Sequence, residues 1–105
     1  MALYKPFTVE TYDAFESPPY SGKPSKVGSF FTASRALACA KKLIDDQLIE
    51  SIESGLNAEE AVFAFTTAGE IPMILGEGRI YLQPFEYAEA RAPHLELVIR
   101  NASSD

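Results

Sequence analysis

The sequence predicts one α+β domain: a small, mostly antiparallel sheet in the order β–β–α–α–β(–β)–α, with helices packed on one face. Three observations carry this reading. Residues 7–15, FTVETYDAF, alternate in the manner of a strand. Residues 32–54 hold an apolar stripe at helical spacing, and Gly55, Gly69, Gly76 and Pro84 then divide the remainder into short elements. A length of 105 residues suits a single domain. An apolar content of 47% supplies a core and argues against disorder.

The first strand rests on Phe7, Val9, Thr11 and Phe15 on one face and Thr8, Glu10 and Tyr12 on the other. Asp13 interrupts the apolar face near its end. A proline-rich connection, ESPPYSGKPSK, follows at 16–26, and Val27 to Phe31 form a short second strand in which Gly28 suits a bulge.

The first helix, 32–54, carries apolar residues at 36, 37, 40, 43, 44, 48 and 52. Thr32 is its N-cap and Gly55 ends it in the left-handed conformation. Its charges oppose its dipole, with Arg35, Lys41 and Lys42 toward the positive end and Asp45, Asp46, Glu50 and Glu53 toward the negative end. Apolar packing therefore has to stabilise it.

Asn57 and Glu60 have the spacing of a capping box for a second helix at 58–68, with Val62 and Phe65 toward the core. Gly69 ends that helix. Residues 71–75 read as a strand, with Pro72 at its start or on an edge. Gly76-Glu77-Gly78 is a turn from which Arg79 to Leu82 return as a hairpin arm. Pro84 opens a third helix, PFEYAEARA, with Phe85, Ala88 and Ala92 on its apolar face. Pro93 is expected to break or kink it before HLELVIRN, and residues 101–105 form a frayed tail.

Composition excludes several functions. The net charge is −6, which disfavours non-specific nucleic-acid binding. The charge is uneven. Residues 1–42 hold six basic and three acidic side chains, a net +3, whereas residues 43–105 hold three and twelve, a net −9. No apolar run is long enough to span a bilayer, and the N-terminal MALYKPFTVE lacks the pattern of a secretion signal. Cys39 is the sole cysteine, so no internal disulfide forms. A reducing, cytoplasmic location is the expectation.

Catalytic signatures are equally sparse. Cys39 has no basic neighbour in sequence to activate it and reads as a small apolar residue beside the helix stripe. His94 is the sole histidine and reads as a surface or cap residue; one histidine and one cysteine do not make a metal site of the usual kind. No metal or cofactor is called for. GEIPMILGEGRIY lacks phosphate-loop spacing and the lysine that follows it. The acidic run Asp45, Asp46, Glu50, Glu53, Glu59 and Glu60 reads as a solvated face or, more sharply, a docking surface for a basic partner.

The pieces GSFFTASRALACAKKLID, SGLNAEEAVFAFTTAGEIPMI and PFEYAEARA carry G-x-F-x-T, a helix ending K-x-x-D, G-x-x-A-E-E and G-E-x-P in this order. Over most of residues 5–92 this resembles a family of small uncharacterised bacterial proteins. The chain departs from that pattern at Ala68, where a bulky residue is usual, and in its longer tail after Pro93. The resemblance implies no catalytic residues.

The leading expectation is a non-enzymatic interaction or accessory protein, with a protein partner or a second copy of itself. A small-molecule-binding regulatory domain is the alternative, and an enzyme using Asp and Glu the third. Candidate binding residues are Tyr20, Lys23 and Lys26 of the proline-rich segment, with Arg35, Glu70 and Arg79. The motif SPPYS fails as a WW-domain ligand because Tyr20 directly follows Pro19.

Overall fold

A computed structural model describes residues 5–14, 24–76 and 82–103. The elements are β1 (Phe7–Asp13), β2 (Ser25–Phe30), α1 (Ala33–Glu53), α2 (Ala58–Ala68), β3 (Glu70–Leu75) and α3 (Pro84–Ser103). The α+β class read from the sequence is the class observed. The hairpin arm expected at 79–82 falls mostly outside the described residues.

The three strands form an antiparallel sheet in the order β2-β1-β3. The central position goes to the strand with the cleanest alternation, and Val9 and Thr11 of β1 are buried. Val9 pairs with Gly28 on one side while Glu10 pairs with Lys26, so Val27 is the extra residue of a bulge one position before the expected glycine. On the other side Thr11 faces Pro72. A proline is tolerated there because β3 is an edge strand.

Helix α1 joins two cores. Ala36 and Ala40, in its first half, pack with Val9 and are flanked by Phe7, Phe30 and Ile74 of the sheet and by Leu43 of α1 itself. Ile44, Leu48 and Ile52, in its second half, pack with Ala61, Phe65, Ile71, Ala88, Ala92 and Leu95. The small residues let the helix approach the sheet closely. The large ones fill the space where α2 and α3 complete a three-helix layer. Burying Leu48 or Ile44 fully is worth about 2–3 kcal/mol each by transfer, which outweighs the unfavourable charge order along α1.

The caps follow the sequence. The Thr32 hydroxyl accepts from the Arg35 N–H at 3.2 Å. Gly55 has φ 112°. Asn57 accepts from the Glu60 N–H at 2.8 Å, and the Glu60 carboxylate accepts from the Asn57 N–H at 3.0 Å. Two expectations need correction. Helix α3 runs through Pro93 without a break. Pro93 is exposed, and the residues at 88, 92 and 95 that anchor the helix lie on the opposite, buried side, so packing there holds the helical path across the missing bond. Phe85 is 42% exposed and meets Phe65 edge-on, with ring centroids 6.2 Å apart, at the rim of the core.

Candidate functional site

The described members of the set singled out in the sequence, Lys26, Arg35 and Glu70, lie on three different elements. Tyr20, Lys23 and Arg79 lie outside the described residues. Lys26 is exposed on β2 opposite Glu10, and Arg35 is exposed in the first turn of α1. Glu70 begins β3 opposite Asp13, on the far side of the central strand from Lys26. Tyr12 pairs with Ile71 near the end of β1, roughly 17 Å of strand away from the Phe7–Phe30 end that leads into Arg35. Cys39 is half-buried against the sheet-side core, and burial pushes its thiol pKa up, away from the reactive thiolate. His94 is exposed within α3 rather than at a cap.

Two polar arrangements emerge that local sequence did not indicate. The first joins α1 to α3. The Tyr87 hydroxyl donates to Asp45 Oδ1 at 2.8 Å, and Arg91 Nε donates to both oxygens of the same carboxylate at 3.3 Å. Lys41 stands 5.7 Å from the centroid of the Tyr87 ring. Burial, reinforced by the hydrogen bond and charge of Asp45, pushes the Tyr87 pKa up to about 12. Asp45 is therefore occupied inside the fold and is not part of a free acidic surface. Lys42, by contrast, makes the expected helical pair with Asp46 at 2.7 Å.

The second is the amide of Gln47. Its Nε2 donates to the Glu70 carbonyl at 2.8 Å and to Leu43 O at 3.0 Å, while its Oε1 accepts from the Glu70 N–H at 2.9 Å. This pins the start of β3 to α1. Both arrangements are interhelical or helix-to-strand braces, and Gln47 also lines an open hollow of about 340 Å³ with Phe65 and Gly69.

A surface with the shape of a site lies on the outer side of α2 and α3. The two helices run antiparallel: Phe65 meets Phe85 at one end, and Ala58 and Val62 meet Glu89 and Pro93 further along. Between them is an open groove of about 400 Å³ lined by Ala58, Glu59, Val62, Glu89 and Pro93. Alanine, valine and proline make its floor, and one exposed carboxylate stands on each helix. Val62 thus packs against the core and also lines the groove. A second hollow, about 660 Å³, adjoins it through Glu59 and is lined also by Leu56, Glu60 and Phe63.

Large apolar side chains flank these hollows. Phe63 is 68% exposed, one turn after Glu59, and Leu97 is 60% exposed, one turn after Pro93. Glu89, Pro93 and Leu97 follow at helical spacing, but the break or kink expected at Pro93 concealed that stripe.

Among the described residues no group of three or more His, Cys, Asp or Glu side chains is placed to hold a metal ion, and no helix is long and apolar enough to cross a membrane. No protein-family model, curated protein or solved structure matches the chain.

Proposed function

We propose that the chain is a non-enzymatic protein-interaction or accessory module that engages its partner through the outer face of α2 and α3. The observation that supports this best is the exposed apolar surface there: Phe63 and Leu97 beside two adjoining hollows that share Glu59. Exposed apolar side chains grouped around concave surface and rimmed by polar residues are the usual mark of a protein interface. The carboxylates at this surface are solvent-exposed, as suits recognition of a partner.

The test is photo-crosslinking from single positions in the intact chain. A photoreactive residue at position 63 or 97 is expected to capture the same partner, while one at Ser34, exposed on the far half of α1, captures none. Adducts absent from 63 and 97, or equally abundant from 34, would overturn the reading.

A further inference from the structure

We infer that the α2–α3 groove receives the cationic side chain, arginine or lysine, of a basic partner segment. This rests on the reading of the α2–α3 face as an interface and specifies what it recognises. Three features of the groove select this occupant.

The first is its charged walls. Glu59 and Glu89 face the same groove from opposite helices, and neither has an ion-pair or hydrogen-bond partner among the described residues. The neighbouring cations are engaged elsewhere: Arg91 with Asp45 and Arg100 with Glu96.

The second is a backbone acceptor. Pro93 has no N–H, so the carbonyl of Glu89 lacks its helical i+4 donor. Glu89 and Pro93 both line the groove. The site therefore offers two carboxylates beside a Glu89 carbonyl that lacks its helix donor, while Ala58, Val62 and Pro93 bring no side-chain donor. A guanidinium or ammonium group carries only donors and complements such a set.

The third is the apolar floor. Ala58, Val62 and Pro93 suit the aliphatic stem of the same side chain, which buries its methylenes while its head stays near water. A volume of about 400 Å³ accommodates one long side chain and part of its neighbour. A second copy of this chain is a poorer occupant, because each copy carries −6 and two copies repel at long range.

The experiment titrates the intact chain with three helical peptides that share leucines at helical spacing and carry arginine, glutamine or glutamate at the intervening positions. Backbone amide shifts provide the readout. The arginine peptide is expected to bind, with shifts centred on Ala58, Glu59, Val62 and Glu89, and its affinity should fall as salt is raised. Glu59→Gln with Glu89→Gln should weaken it roughly three- to tenfold, as two partly exposed charge pairs allow. Glu50→Gln with Glu53→Gln, the same change in net charge on exposed α1 positions, should leave it unchanged.

Failure of the arginine peptide to bind, shifts centred elsewhere, or equal weakening by both double variants would overturn the inference. If the glutamine or glutamate peptide binds this groove and the arginine peptide does not, the interface reading survives and the cation site falls. If no peptide binds and positions 63 and 97 give no crosslinks, both fall.

Discussion

Gln47 holds the backbone of Glu70 with both ends of its amide, donating to the carbonyl at 2.8 Å and accepting from the N–H at 2.9 Å. A side chain on α1 thereby acts as a short length of neighbouring strand for the first residue of β3. The two residues are 23 positions apart, so the contact also fixes where the chain re-enters the sheet after α2. Replacing Gln47 by Ala removes both bonds. Glu70 is exposed and water can reach the freed groups, which holds the cost to about 1–2 kcal/mol. Urea unfolding should show it, with faster amide exchange at Glu70. An exchange rate equal to that of the parent chain would contradict the role.

Gly69 is required for space and not for conformation. Its φ is not positive, yet a Cβ there would lie 2.6 Å from Phe65 O and 2.7 Å from Gln47 Oε1. Gly69→Ala should therefore destabilise by about 1–3 kcal/mol. Because one of the two clashes is with Gln47 itself, the double variant Gln47→Ala/Gly69→Ala should cost less than the sum of the single changes. Strict additivity in a double-mutant cycle would show that the two residues do not meet as described.

What the sequence revealed about this fold was local. The strand alternation around Val9, the stripe on α1, the Asn57–Glu60 capping box and the turn at Gly55 each depend on residues within a few positions of one another, and each is observed. The features that define the candidate site depend on residues brought together by packing. Asp45 meets Tyr87 across 42 positions, and Glu59 shares a groove with Glu89 only because α2 and α3 lie side by side. Pro93 shows the limit most clearly. Local rules assign a proline at that position to a helix break or kink, whereas Ala88, Ala92 and Leu95 bury the other side of α3 and the chain stays helical through it. The binding residues read from the proline-rich segment relied on exposure and charge alone, and of them only Lys26, exposed on β2, lies within the described residues.

Tyr87 gives the fold a pH dependence at its alkaline end. Burial, then the hydrogen bond and charge of Asp45, raise its pKa to about 12, above the ordinary tyrosine value. The folded state therefore holds the hydroxyl proton more tightly than the unfolded chain. The resulting stability is complete below about pH 10 and is lost as pH rises toward 12. Unfolding measured across that window should show a steeper loss for the parent chain than for Tyr87→Phe. The difference titration of tyrosinate absorbance between the two should place the missing group above the ordinary value. A midpoint near that of free tyrosine would mean that the Asp45 contact is not kept in solution.

Pro93 sets stability against recognition, and one substitution separates them. A proline inside a helix is about 3 kcal/mol less favourable than alanine, and α3 accepts that penalty at an exposed position where no core contact demands the ring. Pro93→Ala restores the N–H that bonds the Glu89 carbonyl and leaves the buried residues at 88, 92 and 95 untouched. Stability should rise by about 1–3 kcal/mol, less than the full difference where the helix has already adjusted to the ring. If the freed carbonyl is one of the acceptors for a cationic side chain, the same substitution should weaken the arginine-bearing peptide even as the protein becomes harder to unfold. Calorimetry of the two chains reads the first effect, and amide-shift titration with the peptide reads the second. A gain in stability with binding unchanged would leave the two carboxylates as the recognition groups and remove the carbonyl from the site. A loss of stability would show that the proline ring itself packs in the groove wall.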